Sequence, residues 1–203
     1  MDPREVRGKF GDDFLATERT FRMGIDRRLG SRIAERFPAS RVLETCTGGG
    51  FCTIALARVA QHVVSVEIDP AHQEQARENV ARAGLAHKVS FVLGDALNHQ
   101  LLTSHLPVDA AFLDPDWAVT GPEHVFRFRE SNTRPPADLL LQETFKLTRN
   151  VALVLPPFID PVEYQGLPPH ERQEMYLEGS HELTCLFFGE LAKVEEFTEC
   201  RVG

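Results

Sequence analysis

The sequence predicts an α/β protein built on a doubly wound, mostly parallel sheet of seven strands. Three observations carry this expectation. Short β-branched runs alternate with helical stretches along most of the chain. Four successive runs end in an acidic residue, at Glu44, Glu67, Asp95 and Asp114. The chain then closes on two strand-like runs around a tight turn, the pattern of an antiparallel hairpin at a sheet edge. Strands alternating with helices give parallel sheets covered on both faces.

Each element follows from local pattern. Residues 1–22 are mixed and charged. Over 24–37, Ile25, Leu29, Ile33 and Phe37 recur every four residues with arginines between them, an amphipathic helix that Pro38 stops. Val42-Leu43 opens a strand running into Thr47-Gly48-Gly49-Gly50, and Cys52 to Gln61 is helical. Val63 to Val66 is a strand ending at Glu67. Asp69-Pro70 starts a helix, with an N-cap acid and proline at the first helical position, and Gly84 ends it. Val89 to Leu93 and Val108 to Leu113 are strands, Ala137 to Thr148 is a helix, and Val151 to Leu155 is a strand stopped by Pro156-Pro157. Glu174–Glu178 and Glu182–Phe188 flank Gly179-Ser180 as the hairpin. Residues 116–136 show no period, and long irregular loops in compact domains are usually functional or mobile.

Composition narrows the function classes. At 203 residues the chain is long enough to bury a full core, and no apolar run is long enough to span a membrane. Cys46, Cys52, Cys185 and Cys200 form no CxxC pair, so free thiols in a reducing cytoplasm are expected. No histidine spacing suggests a metal site. The net charge of −8 is uneven, about +3 over residues 1–41 and −11 over the rest. A protein that grips nucleic acid through phosphates should be basic, so any polynucleotide contact should be local. Arg27, Arg28, Arg32 and Arg36 form either a solvated helix face or a phosphate contact.

In open α/β sheets, ligands bind at the carboxyl ends of the strands, where the four acids stand. Glycine lets backbone approach a ligand, and the helix behind it offers free N–H groups. Glu67, at the end of the second strand, can accept hydrogen bonds from a ribose diol. A dinucleotide site wants a third glycine where Thr53 stands. Glu44, ahead of the glycines, can receive a cationic amino group, which S-adenosylmethionine carries and NAD does not.

With these residues the chain resembles the class I S-adenosylmethionine-dependent methyltransferase fold over roughly residues 24–192. The resemblance implies a cofactor site of Glu44, Thr45, Gly48 and Gly50 at the methionine end, Glu67 at the ribose, and Ile68, Asp95 and Ala96 at the adenine. It divides the chain into an N-terminal helical extension, 1–37, and a methyltransferase domain, 38–203. At the fourth strand end, Asp114-Pro115-Asp116-Trp117 resembles the [DNS]-P-P-[YFW] motif of amino-group methyltransferases. There a side-chain oxygen and a backbone carbonyl accept the two N–H bonds of an amine, aiming its lone pair at the methyl, and the aromatic stacks on the base. The catalytic candidates are therefore Asp114, Pro115 and Trp117.

More closely, Val42 to Ile54, Val66 to Pro70, Gly94-Asp95, Phe112 to Trp117 and Phe187 to Leu191 resemble the trimethylguanosine synthase family, the RNA cap guanine-N2 methyltransferases. That family's motif reads S-P-P-W, and here Asp114 replaces the serine and Asp116 the second proline. Asp116 adds charge where a cationic base could welcome it, or it marks an acceptor that is not a nucleobase. Trp117 is either a stacking platform or a core residue. Val125-Phe126-Arg127-Phe128-Arg129 interleaves aromatic and basic residues as a substrate cover or an ordinary packed segment. The implied partner is an RNA or small-molecule methyl acceptor, with a protein acceptor or a non-catalytic cofactor-binding subunit as further readings.

Overall fold

The computed structural model of the chain describes residues 1–117 and 124–203, which form two compact units, 1–110 and 111–203. The first unit opens with helices α1 (Pro3–Phe10), α2 (Glu18–Met23) and α3 (Arg27–Ala34). It continues as β1 (Arg41–Thr45), α4 (Phe51–Val59), β2 (His62–Glu67), α5 (Pro70–Arg82), β3 (Val89–Leu93) and α6 (His99–Thr103). Its strands lie in the order β3-β2-β1 and all are parallel, with Val42 opposite Val63 and Val66 opposite Val92. Val42, Leu43, Val63, Val64 and Val66 are buried, as continuous apolar runs in a parallel sheet should be.

The second unit holds β4 (Ala110–Leu113), α7 (Ala137–Phe145), β5 (Val151–Leu155), β6 (His170–Leu177), β7 (Ser180–Phe188) and β8 (Phe197–Val202). Here the order is β4-β5-β7-β6-β8. β4 and β5 are parallel, with Leu113 opposite Leu153. β7 runs antiparallel to both β5 and β6, so the expected hairpin is present, with its turn at Glu178-Gly179, one residue earlier than the sequence suggested, and with a further strand outside it. The core is Phe112, Leu140, Leu141, Val151–Leu155 and Cys185–Phe188.

The described strands number eight, one more than the sequence suggested. The extra one is β8, which pairs parallel with β6, Arg172 opposite Phe197. Glu195 and Glu196 just before it and Glu199 within it obscure its pattern, because an edge strand exposed to water keeps polar residues. Among the described residues no helix is long and apolar enough to cross a membrane.

The N-terminal segment folds into three short helices, each with a capping side chain. Asp2 caps α1, Thr17 and Thr20 form a reciprocal capping box on α2, and Asp26 caps α3. The helix expected over 24–37 is confined to Arg27–Ala34, although Phe37 is still fully buried. Val6, Phe10 and Phe14 join Ile54 and Val80 in one apolar cluster. The Phe10 ring stacks on Phe51, the first residue of α4, with centroids 3.5 Å apart. Arg28 is held on Asp26 and Arg32 on Glu35, so local acids already occupy two of the four arginines of this helix face.

One buried amide ties this segment to the glycine turn. Asn79 on α5 is 0% exposed. Its Nδ2 donates to Leu15 O and to Gly49 O, both at 2.9 Å, and its Oδ1 accepts from Leu15 N at 2.7 Å. Beside it, Gln75 donates to Leu15 O and exchanges a bond with Thr20 Oγ1. Asn79→Ala strands these backbone groups, and an unsatisfied buried polar group costs about 1–3 kcal/mol. Urea unfolding of that variant should show a loss of about 2–3 kcal/mol. A change within a few tenths of a kcal/mol would show that water replaces the amide freely.

Candidate functional site

The cofactor-side candidates all lie in the first unit. Glu44 is the fourth residue of β1 and sits opposite Ser65 of β2. It is 1% exposed. Thr53 Oγ1 and Ser65 Oγ each donate to its Oε2 at 2.6 Å. Because the Ser65 proton is used there, the 2.6 Å contact between Thr47 and Ser65 is a bond donated by Thr47. Among the described residues Oε1 takes no hydrogen bond, which leaves it for a cationic group. Burial pushes this carboxyl up to about 7, against the two hydroxyl bonds that pull it down. Thr53, which stands where a dinucleotide site has glycine, therefore has a role of its own in holding the acid.

The glycine turn follows. Gly48 has φ +54°, and a Cβ there would meet nothing nearer than Cys46 O at 4.0 Å, so the glycine borders open space. Gly50 has φ +80° and makes the close approach of helix to helix. A Cβ there would lie 2.9 Å from Ala76 Cα on α5. Thr45 Oγ1 is buried and has no hydrogen-bond partner among the described residues.

Glu67 closes the turn. Its Oε2 accepts from Gly48 N at 2.8 Å, and its Oε1 accepts from Ile68 N and Asp69 N, both at 2.9 Å. A carboxylate has about four lone-pair directions. One remains for a ribose hydroxyl, and a second diol bond requires one amide to let go. Next along the edge, Gly94 N donates to Glu67 O and brings the end of β3 beside the end of β2. Asp95 is exposed, with Oδ1 accepting from Leu97 N at 2.8 Å, and Ala96 is buried. Ile68 is 67% exposed, an apolar side chain that the core does not use. Donor set, open glycine and bare apolar surface together fit S-adenosylmethionine. Glu44 would face its amino group, Gly48 and Gly50 its methionine chain, Glu67 its ribose, and Ile68, Asp95 and Ala96 its adenine.

The acceptor-side candidates lie in the second unit, past the end of β4. Asp114 is half-buried and Pro115 buried. Trp117 is half-buried, and its Nε1 is enclosed with no hydrogen-bond partner among the described residues. Asp116 makes a two-bond bridge with Arg134, each backbone N donating to the other's O at 2.9 Å. Its carboxylate also pairs with the Arg134 guanidinium at 3.4 Å. A proline at 116 could not donate the first of these bonds. The departure from S-P-P-W thus pins the motif to residue 134 and sets a cation against the added acid. Of the basic–aromatic stretch, Phe128 is buried and meets the Tyr164 ring, while Glu163 accepts from Phe128 N and Arg129 N. That part is a packed anchor. The remainder of the irregular loop, 118–123, lies outside the described residues.

Sequence reasoning missed Ser65, Asn79 and Arg134. Ser65, a lone hydroxyl in the middle of a β-branched strand, was the one readable signal.

A family model described as RNA cap guanine-N2 methyltransferase matches residues 39–160. The chain belongs to this family. It is also similar, at 45% identity over 87 residues, to a catechol O-methyltransferase of Mycobacterium tuberculosis (strain H37Rv), covering 41% of this chain and 40% of that protein. Among solved structures, a putative methyltransferase from Porphyromonas gingivalis W83 matches 92% of this chain and 47% of that one, with TM-score 0.73 and 17% identity. The cofactor-bound protein Rv0187 from MTB matches 66% of this chain and 56% of that one, with TM-score 0.52 and 31% identity. The fold is that of the Rossmann-like methyltransferases. The chain spans about two fifths of the length of the curated relative given above.

The Glu44 carboxyl supplies a test with a sign. Its pKa in the folded protein, about 7, lies above the ordinary 4.5. Its protonated form is therefore favoured below pH 7 in the free protein, and its contribution to stability is present below pH 4.5 and lost as pH rises through 7. A cationic amino group against Oε1 favours the ionised form. Binding of S-adenosylhomocysteine at pH 6 should then release a proton, read by calorimetry in buffers of different ionisation enthalpy. Glu44→Gln should abolish that release. Equal proton exchange in the two proteins would remove Glu44 from the site.

Proposed function

We propose that this chain is an S-adenosylmethionine-dependent methyltransferase acting on an exocyclic amine, with guanine N2 of an RNA as the acceptor. The observation that carries the reading is Asp114-Pro115-Asp116-Trp117 at the carboxyl end of β4, half-buried and pinned through residue 116. Membership of the cap guanine-N2 family supports it.

The bound cofactor supplies an electrophilic methyl group on a sulfonium. The protein's task is to prepare the nitrogen. The lone pair of an exocyclic amine is delocalised into its ring, which makes it a poor nucleophile. Asp114 accepts one N–H and the Pro115 carbonyl accepts the other. Accepting both favours an sp³-like nitrogen with its lone pair aimed at the methyl carbon. On accepting the methyl group the nitrogen would become cationic, with the thioether as the departing product, and one of its protons would pass to solvent. The Asp114 bond strengthens along this path, so it acts on the transition state more than on the ground state. Trp117 holds the ring by stacking, and Glu67 and the glycine turn hold the donor in place, so positioning supplies much of the rate.

A small-molecule acceptor is the second reading. The charge of about −11 beyond residue 41 favours it, as do the local acids on Arg28 and Arg32 and the catechol O-methyltransferase relative. Label from S-adenosylmethionine appearing in total RNA supports the first reading; label appearing only in a metabolite extract supports the second.

The motif predicts two distinct kinetic signatures. Asp114→Ala should lower kcat by about 10²-fold or more with cofactor affinity little changed. Trp117→Ala should act mainly on the Michaelis constant for the acceptor, raising it about tenfold or more, because stacking is nearly the same before and during transfer. Normal turnover by Asp114→Ala would end the amine reading and leave the fold and the cofactor site standing.

A further inference from the structure

We propose that Phe158 is a second stacking platform, one that favours a flat aromatic ring in the methyl acceptor. The inference rests on the reading of residues 114–117 as the acceptor-side motif and adds a specificity-determining residue to it.

Phe158 is 82% exposed, the most exposed of the large apolar side chains among the described residues. It stands between buried Pro156 and buried Ile159, in a chain that two prolines stiffen. Its φ is +69°, a left-handed conformation that an L-residue adopts at a cost. An ordinary extended residue could fold the ring inward. Here the backbone turns Ile159 in and the largest apolar side chain of the segment out.

The place it occupies is the carboxyl edge of the parallel strands. β4 and β5 are parallel neighbours with Leu113 opposite Leu153. Trp117 follows Leu113 by four residues and Phe158 follows Leu153 by five. Both aromatics thus leave adjacent strands at the same edge, where ligands bind in this class of sheet.

The ring is also held from behind. Leu155 at the end of β5 lies opposite Thr184 of β7. Phe158 is three residues past the first and His181 three before the second, so they meet beyond the edge. Their rings make a T-shaped contact with centroids 5.2 Å apart. His181 Nε2 lies 3.1 Å from Leu183 O and 3.3 Å from Thr184 Oγ1, which fixes its ring. The same ring stacks on Tyr176 at 5.0 Å, and Arg201 lies over Tyr176 at 4.3 Å. Four side chains in series thus present one unused aromatic surface to solvent. A pre-positioned aromatic loses little freedom on binding, and a planar π-system is the partner it rewards most. An aliphatic amine, such as a lysine side chain, would leave that surface idle.

The test follows the fluorescence of Trp117, the only tryptophan, in protein saturated with S-adenosylhomocysteine. The titrants are 7-methylguanosine 5′-monophosphate, adenosine 5′-monophosphate and 2,3-dihydroxybenzoate, with spermidine as a ringless control. For whichever ring binds best, Phe158→Ala and Phe158→Leu should bind about tenfold or more weakly, and Phe158→Tyr close to wild type. S-adenosylhomocysteine affinity and the urea midpoint should not move, because the side chain lies outside the core. Wild-type affinity in Phe158→Ala, equal affinity in Phe158→Leu, or binding of spermidine but no ring would each overturn the proposal. Failure of the underlying reading looks different. In that case Asp114→Ala turns over normally while Phe158→Ala still loses its ring.

Discussion

The carboxylate of Glu67 is the constraint on which the cofactor side of this protein depends. Three backbone N–H groups converge on it, two from the turn that follows β2 and one from Gly48 across the strand boundary. Charge-assisted bonds of this kind are among the stronger hydrogen bonds in proteins. They fasten the glycine turn after β1 to the end of β2, and Gly94 N then fastens the end of β3 to Glu67 O. One residue, through its side chain and its backbone carbonyl, thus lines up three strand ends. Gly50 completes the arrangement from the other side by letting α4 approach α5 closely.

The polar interior behind the turn is a chain of matched parts. Thr47 donates to Ser65, Ser65 to Glu44, and Thr53 to the same Glu44 oxygen. Burying a carboxyl is costly unless it is hydrogen-bonded or neutral, and here both routes are in use. The N-terminal segment adds a further layer through Asn79, which joins Leu15 to Gly49. Residues far from the glycines in sequence therefore support the glycine turn.

Much of this was legible in the sequence because it lives in local pattern. The β-branched runs, the acids that end them and the glycine cluster each leave a signature a few residues long. The hairpin was equally visible. What escaped was tertiary. Asn79 reads as an ordinary polar helix residue until Leu15 reaches it. The Asp116–Arg134 bridge links positions 18 residues apart across a segment without period. β8 is an edge strand whose exposed acids hide its alternation. Phe158 carries no signal of its own, because Pro156-Pro157 marks the end of a strand and nothing local says that the residue beyond it turns outward. The acceptor-side candidates Asp114, Pro115 and Trp117 were readable as a motif, but the partner of Asp116 was not.

The central claim is that the glycine turn and Glu67 form a site for S-adenosylmethionine rather than for a dinucleotide. Calorimetry with S-adenosylhomocysteine and with NAD tests it most directly. The account predicts one S-adenosylhomocysteine bound per chain, no NAD bound, and affinity about tenfold or more weaker in Glu67→Ala, where the ribose bond and the Gly48 tether are both lost. Binding of NAD, or unchanged S-adenosylhomocysteine affinity in Glu67→Ala, would contradict it.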